Sequence, residues 1–175
     1  MMVRPFSKKL LGVKAERLRD EIFGATDGTI STLAVIAGVA GATSNNFFIL
    51  VAGFSAMLAE AISMGFSSYS GAKFREEVTR KKVHKPLSEG IVFWLATMGG
   101  GFIPLVPFLT PHIAHLAASI VFSVIFLFAV GAYAAKSVGN NVLMTGIRTA
   151  TIGLIAAIIT YYVGVGFAHI APLIV

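Results

Sequence analysis

Five apolar stretches, each near the roughly 20 residues a helix needs to cross a bilayer, dominate this 175-residue chain. They run from about Phe23 to Ala42, Phe47 to Gly71, Ser88 to Leu109, Ile113 to Ala135 and Val142 to His169. The connections, Thr43–Asn46, Ala72–Leu87, Thr110–His112 and Lys136–Asn141, are too short for a separate soluble domain. A bilayer core offers backbone amides no water, so each stretch must satisfy its own hydrogen bonds as a helix. The chain therefore reads as an all-α integral membrane protein. Its single five-helix transmembrane domain spans 23–175, after a basic segment at 1–22. Composition agrees: 56% of residues are hydrophobic and 13% charged, where a soluble domain carries roughly 25% charge. That argues against a soluble enzyme and against a disordered chain.

The charges orient the spans. Of 14 Lys and Arg, six lie at positions 4–19 and six more are Lys73, Arg75, Arg80, Lys81, Lys82 and Lys85. Lys136 joins spans four and five, and Arg148 lies near the start of span five. The alternate connections and the C-terminal tail have none, so all fall on one face. The positive-inside rule makes that face cytoplasmic, with the N-terminus inside. In a membrane protein the net charge of +6 points to anionic lipid rather than nucleic acid. Leu10, Leu11, Leu18 and Ile22 recur at near-helical spacing among charged residues. This predicts a short amphipathic helix lying in the cytoplasmic interface. The first 21 residues hold no apolar signal-peptide core. The chain has no cysteine, which excludes disulfides, thiolate metal sites and a thiol nucleophile.

Two acids lie within spans, Asp27 and Glu60. Intramembrane carboxylates are costly and are functional candidates by default. Asp27, in Gly24-Ala25-Thr26-Asp27-Gly28, can also be read as capping the first span. Counting from a hairpin tip at Asn45 at ~1.5 Å per residue, Asp27 and Met64 both lie about 27 Å from the tip. Glu60 is one turn nearer the exterior. Met57, Glu60 and Met64 follow i, i+3, i+7 spacing on one face, which Ser67 continues, while Ser31 stands one turn outward from Asp27. Two carboxylates with one or two thioethers suit a borderline divalent ion such as Fe²⁺ better than Ca²⁺ or Mg²⁺. A carboxyl group in apolar surroundings favours its protonated form and releases the proton when metal arrives, a chemical basis for metal/proton exchange.

Blander readings stand beside these. Met57 and Met98 taken alone read as core filler, and Glu60 can also bond a neighbouring helix. His112 and His115 read as exposed interfacial residues, since two imidazoles without a third ligand make a poor metal site. His169 reads the same way, and His84 as solvated. Gly24, Gly28, Gly38 and Gly41 permit close helix approach, including approach across a dimer axis. The run Met98-Gly99-Gly100-Gly101-Phe102-Ile103-Pro104-Leu105-Val106-Pro107 should break or kink span three, either lining a cavity or making a simple bend.

The chain resembles the vacuolar iron transporter family. The likeness rests on Asp27-Gly28-Thr29-Ile30-Ser31-Thr32 leading into Ala37-Gly38-Val39-Ala40-Gly41-Ala42, and on Ala61-Ile62-Ser63-Met64-Gly65 continuing to Tyr69 and Ala72-Lys73. It also rests on Gly101-Phe102-Ile103-Pro104-Leu105-Val106-Pro107-Phe108, and on Gly153-Leu154-Ile155-Ala156-Ala157 followed by Thr160-Tyr161. The resemblance implies a homodimer with a path at the interface built from spans one and two. It implies export of Fe²⁺, often Mn²⁺, from the cytosol in exchange for protons. It makes Asp27 and Met64 translocation ligands. There are two departures. Plant and fungal members carry the second-span acid at the position of Ala56, where many prokaryotic members match Glu60. Plant-type members also insert a Glu-rich metal-binding segment between spans two and three, and here that link is short and mostly basic. Glu76 and Glu77, with Glu16, Asp20 and Glu21, offer at most a rudimentary replacement. Solvated salt bridges to Arg75, Arg80 and the N-terminal lysines are their expected role.

The expected function is transport of divalent transition-metal ions, with Asp27, Glu60, Met64 and Met57 on the metal and no resident cofactor. A non-transporting membrane scaffold or partner-binding subunit is the alternative. An enzyme is not expected, because no positioned acid–base set is present. The compact chain fits a prokaryotic plasma membrane.

Overall fold

The computed structural model describes residues 5–80, 85–110 and 115–174, with side chains described from residue 18 to residue 170. His84 and His112 lie outside the described residues, as does the side chain of Glu16. The elements are α1 (Pro5–Ala42), α2 (Asn46–Thr79), α3 (Pro86–Phe102), a 3-10 helix (Ile103–Leu109), α4 (His115–Val138) and α5 (Val142–Ile174). Among the described residues, five helices are long and apolar enough to cross a membrane. The interfacial helix expected at residues 1–22 is not separated from the first span, because residues 5–42 form one continuous helix.

Local chemistry sets the turns. The Asn45 side chain accepts from the Phe47 amide at 3.0 Å and caps α2. Arg80 and Lys85, both in the left-handed region at φ 50° and 51°, end α2 and precede α3. Gly139, at φ 76°, turns α4 into α5, and Asn141 accepts from the Met144 amide at 3.0 Å. The expected break in span three is present. Pro104 and Pro107 cannot donate to an α-helical ladder, so α3 gives way to the 3-10 helix. The Ser119 hydroxyl donates to the Pro104 carbonyl at 2.7 Å, which satisfies a backbone group at the break with a side chain from α4.

Successive helices run antiparallel, so the described lysines and arginines gather at one end, called the basic end below. α1 runs through the middle and touches every other element. Leu33, Ile36 and Ala37 on α1 are fully buried. α1 meets α3 and α5 at backbone distance. A β-carbon on Gly28 would collide with the Thr97 carbonyl, one on Gly100 with the Ala25 carbonyl, and one on Gly164 with the Gly38 carbonyl. The sequence left open whether the α1 glycines serve approach across a dimer axis; the structure uses them inside the chain, on α3 and α5. Without a hydrophobic drive between helices in lipid, such small-residue contacts carry the packing.

The end opposite the basic one is packed shut. Ile36, Ile49, Met57, Leu105 and Phe108 form a buried cluster there, with Met98 and Leu116 against it.

Candidate metal site

α1 and α2 cross where each carries an acid. The Ser31 hydroxyl donates to Glu60 Oε2, and it also reaches the Asp27 carbonyl one turn earlier at 2.7 Å. Through Ser31, Glu60 on α2 is tied to α1 one turn from Asp27. The three residues are half-buried. Asp27 is therefore not an isolated cap on the first span, since α1 starts long before it. The hydroxyl one turn beyond it is the link between helices.

Met64 lies one turn toward the basic end from Glu60. It lines a cavity of about 420 Å³ between α1, α2 and α3 that extends to Arg19 and Arg75 near the basic end. Phe23, Ser67, Ser68 and Gly71 share its wall, as do Arg19, Asp20, Arg75, Glu89 and Phe93. Glu60, with the Ser31 hydroxyl on it, thus stands one turn along α2 from the thioether that lines the cavity.

Met57 does not belong to this group. It is 1% exposed and sits in the apolar cluster, where a β-carbon on Gly101 would lie 2.7 Å from its Cγ. Helical rows explain the difference. Ile49, Gly53, Met57, Ala61 and Gly65 form a buried row at four-residue spacing that faces the bundle. Ala52, Ala56, Glu60, Met64 and Ser68 form the next row, half-buried throughout. Spacing of i, i+3, i+7 places Met57 within the same broad face, but packing divides that face into a sealed row and an accessible one. Ala56, the position of the acid in plant and fungal members, is on the accessible row with Glu60.

Other expectations are revised in part, and that of an exposed His169 holds. His115 is half-buried and fastened. Asn46 Nδ2 lies 3.2 Å from its Nδ1, its Nε2 is 2.9 Å from the Thr110 carbonyl, and Phe108 stacks on the ring at 5.4 Å. Both ring nitrogens are engaged, so it is a structural residue. His169 is exposed and bonds the Val165 carbonyl at 2.8 Å. Arg75 does not make a solvated bridge to Glu76 or Glu77. It reaches across to α3, where its Nη2 lies 2.6 Å from Glu89 Oε2. Asp20 is 6% exposed rather than solvated. Glu89, 8% exposed, was missed by the sequence analysis. The available signal was an acid in the first turn after Pro86, at the head of an apolar run. Among the described residues, no three of His, Cys, Asp and Glu come together to hold a metal ion.

The family model described as the VIT family matches residues 18–85 and 72–165, so the match takes in all five candidate spans. The chain is 28% identical over 170 residues to vacuolar iron transporter homolog 2 of Oryza sativa subsp. japonica, covering 86% of this chain and 90% of that protein. It is 27% identical over 206 residues to vacuolar iron transporter 1 of Arabidopsis thaliana, covering 81% and 82%. A shorter stretch of 57 residues is 37% identical to the vacuolar iron transporter of Plasmodium berghei (strain Anka), covering 33% of this chain and 21% of that protein. These relatives are eukaryotic and named for the vacuole, and they lend no support to the expected prokaryotic plasma membrane. The match takes in the parts of α1 and α2 that carry Asp27, Ser31 and Glu60, and with it the chain belongs to the VIT family.

Proposed function

We propose that this protein carries divalent transition-metal ions, Fe²⁺ foremost and Mn²⁺ as a second cargo, out of the cytosol in exchange for protons. The observation that carries the reading is the Ser31 hydroxyl that ties Glu60 to α1 one turn from Asp27, with Met64 one turn away on α2 at the wall of the cavity. Two carboxylates held within a turn of one another inside a membrane call for a positive charge beside them, either a proton or a metal ion. Alternating those two occupants is the elementary act of an antiporter. Asp27 and Glu60 supply hard oxygen ligands and Met64 a soft sulfur ligand, a set suited to Fe²⁺. Met57 is left out of this set because of its place in the core. The relatives named as iron transporters support the choice of cargo.

In this reading the basic end faces the cytosol. The protein works as a homodimer, because two carboxylates and one thioether leave an ion under-coordinated in one chain. The second copy supplies the remaining ligands at the half-buried row of α2. The rival reading, a membrane scaffold without transport, is favoured by the lack of a three-ligand cluster among the described residues.

The deciding experiment is metal uptake into proteoliposomes that hold a metal-quenched dye, with an imposed pH gradient, for wild type and Asp27→Ala. Gradient-driven Fe²⁺ entry that the substitution removes supports transport and site together. A folded dimer that takes up neither Fe²⁺ nor Mn²⁺ puts the scaffold reading first.

A further inference from the structure

The Arg75–Glu89 ion pair is expensive where it stands. The Glu89 side chain is 10% exposed and that of Arg75 48%, with 2.6 Å between Nη2 and Oε2. Removing a carboxylate from water costs several kcal/mol, which a pair regains only with good geometry, so a buried pair is weak evidence for stability. The pair also sits in a telling place. Arg75 is one turn from the end of α2, and Glu89 lies in the first turn of α3. Both line the 420 Å³ cavity whose other end is Met64. Met64 is eleven residues deeper on α2, about 16 Å at the helical rise. The guanidinium is therefore a tethered cation on the wall of the cavity toward the basic end, in a cavity that the transport reading has a cation enter.

We propose that Arg75 and Glu89 form a charge gate at the cytosolic mouth, with Glu89 as the first carboxylate met by an entering divalent ion and Arg75 as its built-in competitor. The inference rests on the transport reading above. At rest the guanidinium neutralises Glu89 and fills the mouth. An arriving divalent ion takes the carboxylate, and Arg75, half exposed, swings toward water. The purely structural alternative is that Glu89 complements the positive end of the α3 dipole and Arg75 complements Glu89.

The two accounts differ in sign. A gate makes the single substitutions act oppositely on the half-saturating metal concentration. Arg75→Gln removes the competing guanidinium from Glu89 and lowers KM for Fe²⁺, whereas Glu89→Gln removes a carboxylate from the mouth and raises it, each by roughly tenfold. Exchanging the charges, Arg75→Glu with Glu89→Arg, rebuilds the pair and returns KM to within about threefold of wild type. A structural pair predicts lower folded yield in both single variants and no opposed KM shift.

A second readout needs no transport. The chain lacks cysteine, so Ser68→Cys in the cavity wall is a unique label site. Its reaction with a membrane-impermeant maleimide added at the basic face should run severalfold faster beside Arg75→Gln than alone, and slow again in the charge-exchanged background. KM shifts of the same sign, or none, overturn the gate, and so does an unchanged labelling rate. Should wild type move no metal, the transport reading fails by itself and labelling alone decides the gate. Should Glu89→Gln fail to reconstitute, the two Arg75→Gln readouts decide it.

Discussion

The two halves of this bundle are built on opposite plans. Toward the basic end, α1, α2 and α3 diverge around a cavity walled by hydroxyls, a thioether and paired charges. Toward the other end the same helices close on Ile36, Ile49, Met57, Leu105 and Phe108, with His115 fastening the start of α4 to the chain around it. Asp27, Ser31 and Glu60 lie at the boundary between the two. An ion can approach them from the basic side, while the opposite side presents packed apolar side chains. The contrast teaches that packing and charge divide along the same helices: under the transport reading proposed above, the packed half is the part that would have to loosen for release.

The largest effect expected from that contrast belongs to the boundary. Asp27→Ala should reduce Fe²⁺ uptake to the background of empty liposomes, while size-exclusion chromatography shows an unchanged particle. Uptake at the wild-type rate would remove Asp27 from the path. The two methionines then separate the halves. Met64→Ala should cripple uptake with little change in thermal unfolding. Met57→Ala should leave the KM for metal as it is and destabilise the fold by about 2 kcal/mol or more, through the cavity it opens. If both act on uptake alone, the division between the halves fails.

A smaller effect comes from access. Ser68→Cys should react with an impermeant thiol reagent added at the basic face, whereas Ser123→Cys, fully buried on α4, should stay unlabelled until the protein is denatured. Smallest is His115→Phe. It keeps the stack on Phe108 and loses two hydrogen bonds, so it should cost about 1–2 kcal/mol in thermal stability and leave metal specificity alone. A change in metal preference would return His115 to the path.

How far these features were legible in the sequence varies by residue. Asp27 and Glu60 stood out because charge within an apolar run is improbable without use. Constant helical rise put Glu60 one turn outward from the level of Asp27 and Met64, at the level of Ser31, and in the structure Ser31 meets Glu60. The break in α3 was legible because proline lacks an amide hydrogen. Met57, read both as core filler and as a ligand candidate, lies in the core, because helical spacing defines a face wider than the row that packing seals. Glu89 was overlooked because an acid in a first helical turn is ordinary, and its importance comes from Arg75 on another helix. The α1 glycines showed that something approaches closely, not what. Their partners are the backbones of α3 and α5, far away along the chain.

Hydropathy and charge are properties of single residues summed along a line. The sequence alone therefore determined the number of spans, the end at which the basic residues gather and the cost of each buried acid. Only the tertiary structure decided which row of α2 is sealed, which carboxylate meets Ser31 and which acid Arg75 seeks. The physical reason is that these depend on how closely helix backbones can approach, and a few glycines let α1 come near enough to α3 and α5 to set the rotation of the helices around it.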